Sequence, residues 1–500
     1  MKSATTHVLR GATTTPMPTP QALLEAPLAR GADAEPLQRQ LHQRLRHAIL
    51  DGRLLPASRL PGSRSLAEAL QISRNTVTAA YEQLAAEGFL QPDRQGTRVA
   101  AMHCPPAARG AQARPAIARR LAGMQAGTSR DDAAAALRPG VPALSHFPFA
   151  AWRQALDRAS RAAGPAMLGY GDPLGEPGLR ASIARHLAIA RGVRCSAAQV
   201  VITEGAQEAL ALCVRLLADP GDTAWVEDPG YRGAKAALQA GDLRVVPQRV
   251  DDQGLVVTAH DWQARPPRLV YTTPSHQYPT GAVQTAARRL ALIEAARRHR
   301  AWIIEDDYDS EFRHAGEPIG AMQGLVPQAP VLYVGTFSKT MFPALRLGFV
   351  VLPEALLPSV QAPLGEMLRG GHRPAQLALA DFIESGQFSR HLGRMRRLYR
   401  ERQQALRVAL ADGLRVPHAI EGGHSGLHLL VRLPPRHPDA AIVQAARRHG
   451  IGAQALSGFA LQPLAQDNGL VLGYGNTASD LFAPLVRRLS QLARAADTGA

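Results

Sequence analysis

Short apolar runs alternate with longer amphipathic stretches over most of the chain, and this pattern limits the fold more than any other feature. The apolar runs cover residues 200–203, 224–226, 269–271, 302–304, 331–334 and 348–351. Residues 207–217 are typical of the helical stretches between them. Strands buried on both faces read as continuous apolar runs, and parallel strands require crossover helices. We therefore expect residues 138–495 to form an α/β unit with a mainly parallel sheet covered on both faces.

The rest of the chain divides into three segments of different composition. Residues 1–35 are rich in Ala, Thr and Pro without a repeat period, which predicts a flexible extension. Residues 36–100 have the apolar spacing of a compact helical unit. Residues 101–137 contain almost no large apolar residue, and we interpret them as a linker that spans on the order of 33 Å as a coil.

Composition excludes several classes of protein. No window approaches the ~18 consecutive apolar residues of a membrane-spanning helix, and the first thirty residues lack the apolar core of a signal peptide. The three cysteines, Cys104, Cys195 and Cys213, have no metal-type spacing, so we expect neither a disulfide scaffold nor a metal site. These observations predict a cytoplasmic protein without a membrane segment.

The excess of positive charge is concentrated in one part of the chain. Its 57 basic and 41 acidic residues give a net charge of +16. Residues 36–100 have a net charge of +4 and residues 101–130 a net charge of +5. A local excess of this kind is the electrostatic footprint of nucleic-acid binding, although a general bias towards Arg would produce it too.

The pattern of residues 36–100 predicts three helices followed by a small hairpin. The first helix follows Pro36, which suits a first-turn position. Ser65 is placed to cap a short second helix with Glu68 at the capping-box position, and Ser73 begins a third helix that ends near residue 88. A polar turn with Gly96 then joins two short strands. This order predicts a mainly helical winged helix-turn-helix.

The third helix begins with residues that suit the reading of bases. In a helix-turn-helix this end of the helix enters the major groove. Arg74 can fork onto guanine and Asn75 onto adenine, and the hydroxyls of Ser73 and Thr76 can reach phosphates or base edges. Ordinary helix caps and a solvated arginine would give the same sequence, so these four residues alone leave both interpretations open.

The run from Leu60 to Val99, LPGSRSLAEALQISRNTVTAAYEQLAAEGFLQPDRQGTRV, carries a family resemblance. The unit around it resembles the GntR family of winged-helix transcription regulators. The resemblance implies that the unit binds double-stranded DNA. It also implies that Arg64 contacts the backbone or a base, that Arg74 and Thr76 contact the operator, and that Gly96 lies at the tip of the wing.

Lysine is rare in this chain. Only Lys2, Lys235 and Lys339 occur, and the other 54 basic residues are Arg. Arg cannot replace Lys where an amine must lose its proton and attack a carbonyl, because the guanidinium stays charged. Since Lys2 lies in the predicted extension, Lys235 and Lys339 are the candidates for such chemistry.

Lys339 ends a short polar motif that follows a predicted strand. The motif is Thr336-Phe337-Ser338-Lys339, with Arg346 seven residues further on. A lysine amine can join the aldehyde of pyridoxal phosphate, and nearby hydroxyls and a guanidinium can hold its phosphate. A loop with a solvated lysine would look the same, so the motif alone leaves both interpretations open.

Other segments at predicted strand ends favour a cofactor site. Asp306 follows the strand at 302–304, at the edge where open α/β sheets bind ligands, although an acidic strand end also suits Mg²⁺. Residues 205–207 precede a helix whose amides can bind an anion, or they form an ordinary turn. Tyr231 can stack on a flat ring or pack in the core. Residues 274–281 add a loop containing His276 at the same edge.

Taken in order, these segments resemble the fold-type-I aminotransferases, which use pyridoxal phosphate. The resemblance covers residues 138–495 and implies that Lys339 forms the Schiff base and that Asp306 pairs with the pyridine nitrogen. It implies that Tyr308 reaches the ring hydroxyl, that Tyr231 stacks on the ring, and that Tyr170 enters from the partner subunit of a homodimer. The residues implied to surround the phosphate are Gly205, Ala206, Gln207, Thr336, Ser338 and Arg346.

Two positions depart from that family. Tyr278 stands before Pro-Thr-Gly, where these enzymes usually have an Asn bonded to the ring hydroxyl. Val471 stands where they usually have an Arg that clamps the substrate carboxylate. Loss of a bidentate clamp removes the orientation that makes turnover of α-amino acids efficient. We therefore expect the cofactor to be held while transaminase activity is lost or weakened.

The fused order of the two units, the linker and the strings EDDYDSEFR, TPSHQYPTG and GTFSKTMFPALRLG resemble the MocR-like branch of GntR regulators. The resemblance implies a transcription regulator that senses pyridoxal phosphate, or an amine or amino-acid effector, by transaldimination at Lys339. Two alternatives stay open at this stage. One is a working aminotransferase with an accessory DNA-binding unit, and the other is a DNA-binding protein whose second unit holds no cofactor.

Overall fold

The computed structural model describes residues 26–31, 34–102, 117–122, 124 and 135–497. Most of the predicted extension and most of the predicted linker lie outside these ranges. The chain forms two compact units, which divide between Ala116 and Ile117. Among the described residues, no helix is long and apolar enough to span a membrane.

Within the described residues, the first unit contains three helices and a two-stranded sheet. The helices are α1 (Leu37–Leu50), α2 (Ser63–Leu70) and α3 (Arg74–Ala86). Strands β1 (Leu90–Asp93) and β2 (Gly96–Val99) pair antiparallel, with Leu90 opposite Val99 and Asp93 opposite Gly96. The core is built from apolar side chains of all five elements, among them Leu41, Leu45, Leu66, Val77, Leu84, Leu90 and Val99. The three helices and the hairpin are those expected from the sequence.

Two details of the first unit differ from expectation. The predicted cap at Ser65 is wrong, because α2 already begins at Ser63 after an extended Gly62. Glu68 consequently pairs with Arg64 at 3.3 Å instead of closing a capping box. Part of the predicted flexible extension also packs on the unit, since Leu28 is buried in its core.

The second unit contains an eight-stranded sheet with the order β3-β10-β9-β8-β7-β4-β5-β6. Its strands are β3 (Val200–Thr203), β4 (Thr223–Asp228), β5 (Arg244–Asp251), β6 (Gly254–Leu255), β7 (Leu269–Thr272), β8 (Trp302–Asp307), β9 (Val331–Thr336) and β10 (Gly348–Val351). Strands β9, β8, β7, β4 and β5 are parallel, whereas β10 is antiparallel to both of its neighbours. The prediction of a mainly parallel sheet is confirmed.

Helices cover both faces of this sheet, as the apolar strands require. Successive strand residues point to opposite faces, so Val201 packs in one buried cluster and its neighbour Ile202 in another. The helices up to the last strand of the sheet are α4 (Phe149–Ala163), α5 (Pro177–Arg191), α6 (Ala206–Leu217), α7 (Arg232–Ala240), α8 (Ala259–Ala264) and α9 (Ala286–His299).

A smaller antiparallel sheet follows the large one. Three helices lead to it: α10 (Leu357–Met367), α11 (Arg373–Glu384) and the long α12 (Gln387–Gly413). Its order is β11-β12-β14-β13, from β11 (Ala419–Glu421), β12 (His428–Arg432), β13 (Gln454–Ala455) and β14 (Gly469–Gly473). Helices α13 (Asp439–Arg447) and α14 (Phe482–Ala495) complete the unit.

The end of the predicted linker is fixed to the second unit. The amide of Ala136 donates to the carbonyl of Gly450 at 2.9 Å, and the amide of Gly473 donates to the carbonyl of Leu137 at 2.8 Å. Gly473 lies so close to this segment that an added Cβ atom would stand 2.0 Å from the Arg138 carbonyl oxygen. These contacts fix the segment that leads to Gly140 against the part of the unit that carries the small sheet.

Candidate cofactor and DNA-binding sites

A cavity of about 460 Å³ opens where β4, β7, β8 and β9 end. It brings together residues that are more than a hundred positions apart in the sequence. The predicted cofactor residues that line it are Ala206, Gln207, Tyr231, Tyr278, Asp306, Tyr308, Thr336, Ser338, Lys339 and Arg346. Gly205 borders it, since a Cβ atom there would lie 3.4 Å from the Arg346 guanidinium. Tyr170 does not line it and is 93% exposed.

The Lys339 amine lies at the cavity wall. Its Nζ donates to the carbonyl of Gly140 at 2.6 Å. Removal from bulk water lowers the pKa of Lys339, because desolvation disfavours the charged ammonium. A lower pKa increases the fraction of neutral amine, which is the form that attacks an aldehyde.

Asp306 presents one oxygen that has no partner. The Tyr271 hydroxyl donates to Oδ2 at 2.7 Å, whereas the buried Oδ1 has no hydrogen-bond partner among the described residues. Burial raises the pKa of Asp306 to about 7. A buried carboxylate oxygen without a donor is costly, and a protonated ring nitrogen of a bound molecule would satisfy it. The residue therefore fits the role predicted for it.

Helix α6 offers its amino end to the same cavity. Gly205 precedes the helix with φ +84°, and no side chain in the described part of the chain caps the first amides. Uncapped amides and the helix dipole favour an anion at this point. Arg346 is held nearby, with Nη2 donating to the Glu204 carbonyl at 2.8 Å. The Thr336 and Ser338 hydroxyl oxygens lie 3.1 Å apart. This set fits a phosphate group.

Aromatic rings form the remaining walls. The ring of Tyr278 meets those of Tyr231 and Tyr308 edge-on, with centroids 6.1 and 5.7 Å away. Nδ1 of His276 lies 2.9 Å from Asp309 Oδ1 and 3.0 Å from the Tyr308 hydroxyl. Because a carboxylate can only accept, the proton is on Nδ1. The hydroxyl hydrogen of Tyr308 is then left to donate into the cavity.

Val471 stands where aminotransferases of this fold usually have the clamping Arg, and it has no polar role. It is fully buried in β14, opposite Leu430, in a small apolar cluster against which Tyr278 packs. No guanidinium reaches the cavity from this position. Two other arginines, Arg138 and Arg232, line the cavity instead.

Lys235, the second candidate lysine, does not line the cavity. Its Nζ donates to Asp228 Oδ1 at 2.9 Å and also to the Phe459 carbonyl. The same carboxylate accepts from the amides of Leu461 and Gln462. Lys235 therefore helps to join the large sheet to the segment that carries Phe459, and the structure assigns it a packing role.

Several residues of the cavity were not expected from the sequence. Tyr271 lies on the strand beside the one that bears Asp306, so an aromatic hydroxyl on a neighbouring predicted strand was an available signal. Gly140 and Arg138 had no such signal, because long-range packing brings the segment just after the predicted linker to Lys339. His428 and Gln454 come from the small sheet, which was not expected from the sequence.

The predicted DNA-contacting residues lie at the start of α3 and around it. Ser73 caps the helix by accepting from the Asn75 amide at 3.2 Å. Ser73, Arg74 and Asn75 are exposed and Thr76 is half-buried. Arg64, on α2, is exposed as well. Gly96 begins β2 with φ +134° and is exposed at the hairpin turn. The structure thus leaves the start of α3 and the hairpin turn open to a ligand.

Comparison with known protein families gives two matches on one chain. Residues 37–99 match the family described as bacterial regulatory proteins, gntR family. Residues 139–465 match the family described as aminotransferase class I and II. The two matches correspond to the two compact units.

Several curated proteins resemble the chain over nearly its whole length. The probable rhizopine catabolism regulatory protein MocR of Rhizobium meliloti is 40% identical over 466 residues, which are 89% of this chain and 91% of that protein. The pyridoxine biosynthesis transcriptional regulator PdxR of Corynebacterium glutamicum is 32% identical and covers 90% of this chain and 94% of its own length. The transcriptional regulator TauR of Rhodobacter capsulatus is 35% identical, with coverages of 80% and 84%.

Solved structures resemble the second unit. The α-aminoadipate aminotransferase LysN of Thermus thermophilus is 27% identical with a TM-score of 0.68, over 76% of this chain and 97% of that one. The kynurenine aminotransferase of Pyrococcus horikoshii has the same TM-score and coverages at 23% identity, so it supports the fold alone.

Proposed function

The chain belongs to the MocR-like branch of the GntR family of bacterial transcription regulators, and from this premise we propose that it is a DNA-binding regulator controlled by pyridoxal phosphate. The winged helix would bind a double-stranded operator in the cytoplasm. The second unit would bind pyridoxal phosphate through Lys339 and respond to the cofactor itself or to an amine or amino acid. The winged helix would comprise residues 36–100 and the cofactor-binding unit residues 138–495, with residues 101–137 joining them.

The observation that carries the proposal is the convergence on one cavity of three features that pyridoxal phosphate needs. These are a desolvated lysine amine, a buried carboxylate oxygen without a partner, and an uncapped helix amino end beside an arginine. When bound, pyridoxal phosphate supplies an aldehyde that condenses with primary amines. Lys339 would hold this aldehyde, Asp306 the ring nitrogen, and the amino end of α6 the phosphate.

Other residues of the cavity would orient the ring. Tyr231 lies at the wall, where it can stack, and Tyr308 would donate its hydroxyl hydrogen to the ring oxygen. Tyr278 would pack against the ring in place of the usual Asn. Tyr170 is exposed, which suits its predicted insertion into the cavity of the partner subunit in a homodimer.

Control of DNA binding requires that the ligand binds two conformations with different affinity. Coupling between two sites of this kind is typically worth about 1–3 kcal/mol, or 5–150-fold in affinity. The test is a DNA titration of the full chain at one fixed salt concentration, with and without pyridoxal phosphate, and then with added amines. We expect the affinity for operator DNA to change within that range. Affinities that are identical under all conditions would contradict a regulatory role for the second unit.

The alternative function is a working aminotransferase. Val471 counts against it, because no arginine stands at the position that usually clamps the substrate carboxylate. Sustained conversion of an amino donor and a keto acid by the purified protein would favour this alternative. A single half-reaction that stops after one equivalent would not.

Replacement of Asp306 by Asn is expected to weaken the binding of pyridoxal phosphate by about 10–150-fold, since hydrogen bonds to charged groups are worth about 1.5–3 kcal/mol. An amide cannot balance a charged ring nitrogen, whereas it still fills the space. The matched control is Tyr271→Phe, which removes only the hydroxyl that donates to Oδ2 and should have a smaller effect. Equilibrium dialysis of cofactor measures both variants. Equal affinities for wild type and Asp306→Asn would overturn the role of this carboxylate.

A further inference from the structure

The last part of the chain carries a charge excess that the proposed cofactor site does not use. Residues 138–384 contain 25 basic and 24 acidic residues, a net charge of +1. Residues 385–500 contain 15 Arg and 7 acidic residues, a net charge of +8. Seven of these arginines lie on α12, which has only two acidic residues, Glu401 and Asp412. The excess is thus concentrated on one helix.

The arginines of α12 fall into two groups. Arg396 pairs with Glu311 at 3.0 Å, and Arg402 and Arg407 donate to the carbonyls of Gly475 and Gly422. These three join the helix to the rest of the unit. The other four are exposed and have no carboxylate within 4.0 Å among the described residues: Arg390, Arg394, Arg397 and Arg400. We call these four the arginine face.

The spacing of the arginine face makes it a continuous stripe. Its members follow one another at intervals of four, three and three residues, and residues at these intervals are neighbours on a helix surface. Over ten residues the stripe extends about 15 Å at 1.5 Å per residue. The rise per phosphate along one DNA strand is about 3.4 Å, so the stripe matches the length of about four phosphates.

The arginine face is unfavourable for the isolated helix. Like charges at these spacings destabilise a helix. Arg390 also lies within the first four residues of α12, where the helix dipole disfavours a cation. The first turn contains no acidic residue that would compensate. A bound polyanion would remove both costs.

We propose that the arginine face binds the phosphate backbone of DNA next to the segment held by the winged helix. This inference rests on the proposed DNA binding and adds a second contact from the other unit. A lipid surface fits less well, because membrane-surface helices insert apolar side chains. The apolar side of α12, with Phe388, Leu392 and Tyr399, is instead buried in the core.

The test compares the full chain with a variant in which all four arginines of the arginine face are replaced by Gln. The matched control carries Arg→Gln at four exposed arginines elsewhere in the unit, which are Arg153, Arg215, Arg265 and Arg298. Both variants lose the same net charge. The probes are mixed-sequence duplexes of about 12 base pairs, little more than one helical turn, and of about 60 base pairs.

On the long duplex we measure the slope of log affinity against log salt concentration. We expect this slope to be less steep for the arginine-face variant than for wild type by up to about 3.6 per chain, because four phosphate contacts release about 3.6 counterions. On the short duplex the variant should bind as wild type does, and the control should match wild type on both. Equal slopes for the variant and the control on the long duplex would overturn the proposal. Wild-type protein that binds neither duplex would overturn the proposed DNA binding itself.

Discussion

Replacement of Lys339 by Ala is expected to abolish the covalent attachment of pyridoxal phosphate completely. The wild-type protein, incubated with cofactor and reduced with borohydride, should carry the added mass on a single peptide that contains residue 339. The chain is well suited to this measurement because it has only three lysines. The desolvation that lowers the pKa of Lys339 favours its reaction over that of a lysine in water.

Two further variants separate chemistry from folding. Lys339→Arg keeps a cation near the Gly140 carbonyl, yet it should also fail to react, because a guanidinium does not lose its proton at neutral pH. Lys235→Arg removes the other structurally described lysine, which is paired with Asp228, and it should leave the attachment at Lys339 unchanged. A labelled peptide that contains Lys235 instead of Lys339 would refute the assignment.

Most strands of the large sheet could be predicted from the sequence because they are buried on both faces. Continuous apolar runs give an unambiguous strand signal when they alternate with amphipathic helices. The run at 200–203 became β3 with the same limits. Strand β5 (Arg244–Asp251) was missed because it lies second from the edge of the sheet and is mostly half-buried, with Arg, Gln and Pro among its residues.

The motifs at strand ends that form part of the candidate site were also predictable. The residues that distant segments contribute to the same cavity were not. Each polar motif lies at the end of a strand or just after it, and parallel strands end at one edge of the sheet. This rule brought Tyr231, Asp306 and Lys339 together in one cavity. Gly140 lies just after the predicted linker and His428 lies on the small sheet, and their approach to the cavity depends on packing between distant segments. No spacing in the sequence carries that information.

The first residues of the helices were also only partly predictable from the sequence. Ser73 was predicted to begin α3 and does cap it, because no competing start lies just before it. Ser65 was predicted to cap α2 by the same reasoning, yet the helix begins two residues earlier, after Gly62. Both positions have the right residue type. The backbone conformation of the preceding residues decides which of them is used.

Replacement of Arg74 by Ala is expected to weaken binding of the chain to its operator by about 5–150-fold, since one well-placed contact to a base discriminates by about 1–3 kcal/mol. Binding to mixed-sequence DNA should change much less, because that binding depends on phosphate contacts. Competition between operator and mixed-sequence duplexes at one salt concentration measures the difference. The operator is first obtained by selecting bound fragments from genomic DNA.

Loss of stability cannot produce this result. Arg74 is the first residue of α3, where the helix dipole disfavours a cation, and within the described ranges its side chain makes only a 3.4 Å hydrogen bond to Ser63. Ala has the higher helix propensity, so the variant should unfold at the same temperature as wild type or slightly higher. The matched control is Arg39→Ala on α1, which removes one exposed charge far from the start of α3 in the sequence. Equal losses of operator affinity in the two variants would show that Arg74 contributes charge alone and does not read bases.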